Sequence, residues 1–499
     1  MSGLLSAGTR LANRGRQPDD EGTGDQVMGR RFGVSTAAAA GVSVLRAAPL
    51  LAFTTFLPLA IASNEAQYTA TEPAQAAIPP QAGGSVAVDA LLRDAGALVA
   101  WMEAHNKDVL AAATRVEQAQ AELRQGRLIP NPALTGTISD LTVGTTNPPG
   151  LTRGDTAVYG TTLSETVELG KRGPRIRSAD LRLQSERNSY FETLNDKTAE
   201  ARYALGRIAY LGARQSVLEE SLSAARQNVD IQRSRVENGD LSGSDFDRLQ
   251  VDTILLESEV TSNRQEYEGA TVTCGALLAA PCTADGLDVE TIKTAAPVPA
   301  EPDVTAAIEG RPDIRALLFD RDAARSDALL ARRRRIPDPN LSVGYTHDNL
   351  TISGDQPRSY LISIGIPLPL FDRGQHDSAR AEARARELDW SAAATRERGR
   401  ADVEALMKRK TTLEGTLDRL VSEAVPKSKG VLETTLGAVS QGGVSMTDLL
   451  LTRRTHIDLL LKVMDLQFDL FAVRNDLRRA LGLDAGLRRD GTAAPEVTP

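Results

Sequence analysis

Histidine and cysteine are the side chains that most often bind metals or act as nucleophiles, and this 499-residue chain has few of them. Its histidines are His105, His347, His376 and His456, and none has the spacing of a metal-ligand motif such as H-x-x-x-H. The chain also lacks a nucleophile elbow, a phosphate-binding loop or a dinucleotide-binding glycine motif in a suitable strand–helix context. The sequence therefore predicts no catalytic residue, no cofactor and no metal site, and the protein is not expected to be an enzyme.

The two cysteines, Cys274 and Cys282, lie close together in the segment TCGALLAAPC. In an exported protein such a pair can close a small disulfide loop, whereas the alternative is two free thiols near a helix end. Both states stay open from the sequence, with the disulfide favoured. A lipoprotein needs a cysteine directly after its leader, and neither cysteine is placed there, so lipid attachment by that route is not expected.

Residues 28–62 are typical of an export leader, whereas the first 27 residues are polar and Gly-rich and do not fit the start of a signal peptide. Arginines precede an apolar run from Ala47 to Ala62, which is short for a membrane-spanning helix and typical of a signal peptide. The AIA triplet at 60–62 has the small-x-small pattern of a signal peptidase site, so we predict cleavage after Ala62, with Met28 as an alternative start. The other interpretation, an N-terminal membrane anchor, is disfavoured because two prolines interrupt the run.

The charge of the chain argues against nucleic acid as a partner. The net charge is −8, whereas general nucleic-acid binders are basic. The RRRR run at 332–335 closes a predicted helix just before a PDP triplet, where cations suit the C-terminal end of the helix dipole. No nucleic-acid partner is therefore expected.

An internal duplication is the strongest pattern in the sequence. The matching pairs are LIPNPALTG (128–136) with RIPDPNLSV (335–343), YGTTLSETVELGKRG (159–173) with YLISIGIPLPLFDRG (360–374), and ENGDLSGSDF (237–246) with SQGGVSMTDL (440–449). Their offsets are 207, 201 and 203 residues. Three matches in the same order at nearly constant offset predict a repeat of about 200 residues. The copies meet near 289–305, a Pro- and Ala-rich segment predicted to be a linker.

Each copy has the same order of predicted elements. A helical segment ends at a Pro-x-Pro turn, Pro130 with Pro132 in the first copy and Pro337 with Pro339 in the second. Proline ends a helix here because it lacks an N–H and disfavours helix in the residue before it. Two stretches with two-residue alternation follow, as in strands whose faces differ. In the last stretch the apolar face has Tyr360, Ile362, Ile364 and Ile366, and the other face has Ser363 and Gly365.

Two very long helices are predicted after the strands, over about 174–237 and 375–438. Both segments are rich in Ala, Leu and charged residues and poor in Gly and Pro. Each would extend about 95 Å at 1.5 Å per residue, which is typical of coiled coils and helical barrels rather than compact globules. Pro426 is expected to kink or break the second helix, and turns at Gly239 and Gly442 are expected to end the two.

Four strands per chain are too few to close a barrel, and an open sheet in lipid would leave edge N–H and C=O groups without partners. The strands therefore either stay out of the membrane or are pooled by several copies, and three copies give twelve strands, enough for a closed transmembrane barrel. The predicted fold class is mostly α with a β-barrel part. It consists of a duplicated helix–hairpin–long helix–helix repeat that forms a trimeric 12-stranded β-barrel, with four strands per chain, continued by a long α-helical barrel.

Together these features resemble the TolC family of outer-membrane efflux proteins. The matching features are the leader, the two repeats, the PNP and PDP turns, the ELGKRG and LFDRG passages from strand to helix, and the G-x-x-x-x-x-D turns that end at Asp245 and Asp448. The resemblance covers about 98–484, and the phrase IPLPLFDRGQHDSARAEARAR after a PDP triplet is most similar to the heavy-metal, CzcC-like branch. The predicted segments are a leader with signal peptide (1–62), an N-terminal extended segment (63–97), a first efflux repeat (98–288), a linker (289–305), a second efflux repeat (306–484) and a flexible C-terminal tail (485–499).

The resemblance implies a homotrimer in the outer membrane, in contact with its lipid, with the helical tunnel in the periplasm. Such a protein is a passive conduit for a periplasmic membrane-fusion adaptor and, through the adaptor, an inner-membrane RND-type pump. The branch implies divalent heavy-metal cations of the cobalt, zinc and cadmium type as cargo. The alternatives are a drug-efflux or type I secretion channel and, in a different class, a soluble periplasmic coiled-coil scaffold or adaptor.

The resemblance also implies that the turns at the far ends of the long helices contact the adaptor. The residues concerned are Asn238, Gly239, Asp240 and Leu241 in the first copy and Gln441, Gly442, Gly443 and Val444 in the second. Ser244 and Thr447 are expected to cap the helices that follow. Asp245 and Asp448 lie in the first turns of those helices, where they either stabilise the helix dipole, the favoured interpretation, or ring a tunnel mouth and attract cations.

Overall fold

The structure, a computed structural model, describes residues 88–239, 242–283, 289–351, 356–440 and 443–489. The predicted leader, its cleavage site and Met28 lie outside these residues, as do Asp240, Leu241, Gln441 and Gly442. The elements of the first half are α1 (Val88–Arg93), α2 (Ala95–His105), α3 (Lys107–Arg127), β1 (Ala133–Ser139), α4 (Arg153–Thr156), β2 (Val158–Thr166), α5 (Arg172–Glu237) and α6 (Gly243–Leu278).

The second half repeats this order after a connecting segment. Its elements are α7 (Val289–Thr294), α8 (Val304–Gly310), α9 (Pro312–Arg333), β3 (Asn340–Asp348), β4 (Arg358–Gly365), α10 (Gln375–Arg419), a π-helical turn (Leu420–Ala424), α11 (Val425–Ser440), α12 (Met446–Ala480) and α13 (Leu483–Arg489). The predicted order of helix, two strands, long helix, turn and helix is therefore present in both halves.

The long helices have the lengths that the sequence predicts. Helix α5 has 66 residues and extends about 100 Å at 1.5 Å per residue. Its counterpart is interrupted near Pro426, which is the second residue of α11 and follows the five-residue π turn. A proline ring clashes with the carbonyl four residues earlier, which here belongs to Ser422 inside that turn. The widened turn accommodates the proline and confirms the predicted disruption.

The four strands form one antiparallel sheet in the order β1-β2-β3-β4. Each hairpin pairs two strands of one repeat, and the central pair, β2 with β3, joins the two repeats. In the register, Leu134 lies opposite Leu163, Leu163 opposite Val343, and Val343 opposite Ile362. Because alternate residues of a strand lie on the same face of a sheet, this row and the rows two residues before and after it form a single surface.

A polar network within the hydrophobic core connects the middle of α5 with the C-terminal end of the second repeat. Arg202 of α5 is 1% exposed and donates to both carboxylate oxygens of Asp484 at 2.8 Å. Arg478 donates to Asp484 Oδ1 at 2.7 Å and to the Pro297 carbonyl at 2.6 Å, and Asn475 accepts from Arg202 at 3.0 Å. Burial raises the pKa of Asp484, but the hydrogen bonds and charges of the two arginines outweigh it, so the pKa lies below its usual value.

Three of the predicted segments need correction. The N-terminal segment over 63–97 is not extended throughout, because α1 and the start of α2 are helical and Asp94 caps α2 by accepting from Gly96 N at 2.8 Å. The linker over 289–305 contains α7, whose Ile292 is 2% exposed in the main core. The tail over 485–499 begins inside α13, where Ala485 is 1% exposed. Long-range burial orders these weakly patterned segments.

Candidate functional site

One face of the sheet is an exposed apolar surface. Tyr360 is 83% exposed, Ile362 78% and Leu134 73%. By the register, this face has Leu134 and Ile138 of β1, Tyr159 and Leu163 of β2, Leu341, Val343 and Tyr345 of β3, and Tyr360, Ile362 and Ile364 of β4. Soluble monomers rarely expose a contiguous apolar surface of this kind. The predicted placement of Tyr360, Ile362 and Ile364 on one face is confirmed.

The opposite face of the sheet has mainly small and hydroxyl side chains. They include Thr135, Thr137 and Ser139 of β1, Thr162, Ser164 and Thr166 of β2, Ser342 and Thr346 of β3, and Ser359 and Ser363 of β4. Hydroxyl groups remain solvated by water and do not bind cations or apolar molecules tightly. The two faces of the sheet therefore differ in polarity.

The edges of the sheet are open in the described part of the single chain. Strand β1 pairs with β2 alone and β4 pairs with β3 alone, so each edge has N–H and C=O groups that a further strand could bind. Both edge strands are exposed along their whole length. An apolar face with open edges requires another strand on each side before it can lie in hydrocarbon.

The Pro-x-Pro turns lie where the helices lead into the sheet. Pro130 and Pro132 separate α3 from β1, and Pro337 and Pro339 separate α9 from β3. The residue between the second pair, Asp338, links the two repeats, which the sequence did not reveal. Its carboxylate accepts from Lys171 Nζ at 2.6 Å and from the Leu169 N–H at 2.9 Å. Burial raises the pKa of Asp338, but these partners outweigh it and hold the pKa below its usual value.

The turns at the far ends of the long helices are partly described. Gly239 follows α5 with a φ of +79°, a left-handed conformation that glycine adopts without strain. Its N–H donates to the Val236 carbonyl at 3.0 Å, and Asn238 precedes it as the C-cap of α5. In the second turn, the Gly443 N–H donates to the Ala438 carbonyl at 2.9 Å, and Val444 is partly buried.

The carboxylates beside these turns lie in the first turns of α6 and α12. The Ser445 hydroxyl donates to Asp448 Oδ2 at 2.7 Å, and the Asp448 N–H donates to Ser445 Oγ at 3.2 Å. Asp245 lies 3.5 Å from Arg248, whose Nη1 donates to Thr447 Oγ1 at 3.4 Å and so connects the two turns. Asp448 therefore takes part in the cap of α12, whereas Asp245 lies in the first turn of α6 and pairs with Arg248.

The capping residues differ from those predicted. The N-caps are Ser242 and Ser445, two residues before the expected Ser244 and Thr447. The Ser445 hydroxyl accepts a backbone N–H, whereas Ser242 makes no such bond and lies 2.8 Å from the hydroxyl of Ser244. Several hydroxyl residues occur in each turn, and only the backbone path decides which of them precedes the helix.

The cysteines and the histidines are the remaining candidates for chemistry. Cys274 and Cys282 form a disulfide with an S–S distance of 2.01 Å beside the main core. The histidines are dispersed: His105 stacks on Trp101, His347 Nδ1 is 3.0 Å from the Pro357 carbonyl, and His456 Nδ1 is 2.8 Å from Ser428 Oγ. His376 is exposed near the start of α10.

Helices α5 and α12 of the two repeats are joined by polar contacts that sequence reasoning missed. Asp465 Oδ1 accepts from Tyr210 Oη at 2.5 Å and from Arg214 Nη1 at 3.1 Å. Burial, followed by the hydrogen bond to Asp465, raises the pKa of Tyr210. Nearer the turns, Arg453 Nη2 donates to the Ser221 carbonyl at 2.6 Å. No sequence signal identifies these partners, because they are separated by more than 200 residues.

Comparison with known proteins supports the same architecture. Residues 304–483 match the family model described as outer membrane efflux protein. The chain is 23% identical over 300 residues to the cobalt-zinc-cadmium resistance protein CzcC of Cupriavidus metallidurans, covering 60% of this chain and 66% of that protein. It is 25% identical over 293 residues to the nickel and cobalt resistance protein CnrC of the same species, covering 57% and 64%. The matches thus span about two thirds of these relatives.

Solved structures of channel proteins share the fold. The CusC channel superposes with a TM-score of 0.66 at 16% identity, covering 78% of this chain and 91% of that one. The MtrE outer membrane channel of Neisseria gonorrhoeae gives a TM-score of 0.66 at 18% identity, covering 81% and 91%. These superpositions confirm the predicted fold within one chain, mostly helical with a sheet of four strands, and the family match supports the resemblance drawn from the sequence. The matched family model describes outer membrane efflux proteins, and the superposed structures are those of outer membrane channels.

Among the described residues, no helix combines the length and the apolar character needed to cross a membrane.

Proposed function

We propose that this chain, whose residues 304–483 match the outer membrane efflux protein family, is the outer-membrane channel of a tripartite efflux system. Three copies would pool their four-stranded sheets into one 12-stranded barrel, and the long helices would continue below it as a tunnel in the periplasm. Substrate would pass through without chemical change. A periplasmic adaptor and an inner-membrane RND-type pump would deliver it to the tunnel.

The observation that carries this proposal is the four-stranded sheet with one exposed apolar face, one hydroxyl-rich face and two open edges. Lipid on the apolar face and water on the other satisfy both sets of side chains, provided that neighbouring copies satisfy the edges. A soluble scaffold would leave the apolar face in water. The channel therefore accounts for both faces with one arrangement.

Divalent heavy-metal cations are the proposed cargo. Support comes from similarity to a cobalt-zinc-cadmium resistance protein and to a nickel and cobalt resistance protein. A hydroxyl-rich passage would let hydrated cations pass without holding them, since such side chains replace water only weakly. The alternative is a drug-efflux or type I secretion channel of the same architecture.

The turns at Asn238–Leu241 and Gln441–Val444 are proposed to contact the adaptor. Gly239 has a left-handed backbone conformation and no side chain, so the backbone is bare at the end of α5. A Cβ added at this position would meet no atom within 4 Å. Open space around the turn allows another protein to approach the backbone closely. Bulky residues at the two glycines should therefore block docking, and at Gly239 the side chain meets open space although its left-handed φ adds backbone strain.

The test is metal tolerance in a host that has a metal-type pump and adaptor but lacks its own outer-membrane channel. The chain should restore growth on cobalt, zinc or cadmium, and the double variant Gly239→Trp/Gly442→Trp should fold into the outer membrane yet fail to restore it. If the chain restores tolerance of drugs instead of metals, its cargo is drugs and not the proposed metal cations. Release of the chain by osmotic shock, without detergent, would contradict a channel and favour a soluble scaffold.

A further inference from the structure

Basic residues are concentrated at one end of the sheet. The four passages between helix and sheet (127–132, 167–175, 332–339 and 366–374) all lie at this end, because the strands are antiparallel and begin or finish there in turn. We call these passages the basic collar. They contain nine Lys and Arg but three Asp and Glu, in a chain whose net charge is −8. The loops at the other end, 140–157 and 349–357, contain one Arg and three Asp.

Part of the collar's charge is neutralised within the chain. Lys171 pairs with Asp338 at 2.6 Å, and Arg175 pairs with Glu168. The first and third arginines of the RRRR run, Arg332 and Arg334, pair with carboxylates of α10. These contacts hold the passages together, so they explain some of the cations as structural.

Other collar cations lack such an explanation. Arg127, Arg333 and Arg335 are exposed, and within the described part of the chain none of them forms an ion pair. Like charges at one end of the sheet repel each other, so an external anion bound there would stabilise these cations. Arg333 and Arg335 have no such carboxylate partner in the residues that the structure describes, because Arg332 and Arg334 already pair with the nearby carboxylates of α10.

Exposed apolar residues lie beside these cations. In the passage from β4 to α10, Phe371 is 90% exposed, Leu368 72% and Leu370 63%. In the passage from α3 to β1, Leu128 is 58% exposed and Ile129 60%. Exposed apolar side chains are therefore present in the collar as well as on the sheet. Aromatic and aliphatic side chains next to Lys and Arg are typical of the boundary between hydrocarbon and lipid headgroups.

We propose that the basic collar binds the phosphate groups of anionic phospholipids in the leaflet that faces the helices. The cations supply the charge that a phosphate requires, and the adjoining apolar side chains fit the beginning of an acyl chain. A soluble anionic partner would gain nothing from Phe371 and its neighbours. The inference rests on the proposed function, because that function is what puts the apolar face in a membrane.

Lipid binding to the purified full-length protein in neutral detergent tests the inference. Phosphatidylglycerol and phosphatidylcholine are added in equal amounts, and the lipids bound to each protein trimer are counted by native mass spectrometry. The wild type should prefer phosphatidylglycerol at 0.1 M salt, and 0.5 M salt should remove most of the preference by screening. Each cation near an anionic surface contributes about a fivefold preference, so Arg127→Gln/Arg333→Gln/Arg335→Gln should reduce it at least about tenfold.

A matched variant controls for charge alone. Arg233→Gln/Arg398→Gln/Arg419→Gln removes three exposed arginines from the long helices, far along the chain from the collar, and should keep the wild-type preference. A detergent-bound trimer that binds both lipids equally, or that loses preference alike in both triple variants, overturns this inference alone. Displacement of the lipid by 10-fold excess inorganic phosphate would also overturn it. A detergent-free monomer overturns the proposed function together with the inference.

Discussion

A disulfide engineered between neighbouring copies tests how the open edges of the sheet are satisfied. The variant is Thr137→Cys/Ser363→Cys, with one cysteine on β1 and the other on β4. The two positions are at opposite edges of the four-stranded sheet, three strand spacings of about 4.8 Å apart. Ser359, not Ser363, lies in the row of Thr137, so a further four residues of about 3.4 Å each bring the separation to about 20 Å. Since a disulfide needs Cα atoms within about 7 Å, the two cysteines of one chain cannot bridge each other.

The duplication predicts which residues meet between copies. Within the chain, Leu163 of β2 lies opposite Val343 of β3. The repeat offsets of 201 and 207 residues place Ile364 and Gly136 at the equivalent positions of β4 and β1. If β4 of one copy pairs with β1 of the next as β2 pairs with β3, Ile364 lies opposite Gly136 and Ser363 opposite Thr137. Directly opposed residues have Cα atoms about 4.5–5.5 Å apart, which suits a disulfide.

The assay is oxidation in the membrane followed by a denaturing gel without reductant. The double variant should give covalent dimers and trimers and no larger species, because a ring of three closes on itself. The matched control Ser139→Cys/Ser363→Cys is displaced by one diagonal step, where the two residues are about 7–8 Å apart, and should link poorly. A monomer alone, or species above the trimer, would refute the closed ring. Stronger linking by the control would refute only the register.

Other consequences concern the core and its titration. Asp484→Asn should lower the free energy of unfolding by about 3–5 kcal/mol, because it leaves Arg202 buried without its counter-charge. Since the wild-type pKa of Asp484 is lowered, its contribution should be present above about pH 4 and disappear only as the pH falls through that lowered value. This can be followed by thermal unfolding from pH 2 to 7. Burial raises the pKa of Glu192 to about 7, so wild-type stability should decline between pH 4.5 and about 7. Glu192→Gln should abolish the decline, and parallel melting curves for the two proteins would contradict it. A Cβ at Gly206 would lie 2.1 Å from the ring of Phe471, so Gly206→Ala should destabilise the core by about 1–3 kcal/mol. Adding Phe471→Leu should restore part of the melting temperature, and equal melting of Gly206→Ala and wild type would show that the ring yields freely.

Much of the fold could be predicted because its signals are local and repeated. The sequence predicts helix α5 over about 174–237, and the helix runs from Arg172 to Glu237, since no proline after Pro174 interrupts its helix-forming composition. The strands were found from two-residue alternation and the Pro-x-Pro turns before them. The sequence does not predict helices α7 and α13, because each is short. Their apolar sides become recognisable only once the core around them is known.

The candidate site divides in the same way. The apolar face at Tyr360, Ile362 and Ile364 follows from periodicity alone, and the left-handed turn at Gly239 follows from residue type. The roles of Asp338 and Arg248 did not follow, because their partners come from the other repeat or from the other turn. A charged residue beside a turn has many candidate partners in the sequence, and the chain path selects one.

The sequence by itself determined what repeats at short range: the duplicated order of elements, the length of the helices, and the two different faces of the strands. These depend on backbone propensity and side-chain alternation, which act over a few residues. The tertiary structure alone decided that β2 pairs with β3 and that Arg202 meets Asp484, 282 residues later. Such contacts depend on where the whole chain brings distant residues, and a buried charge is stable only where that path supplies its partner.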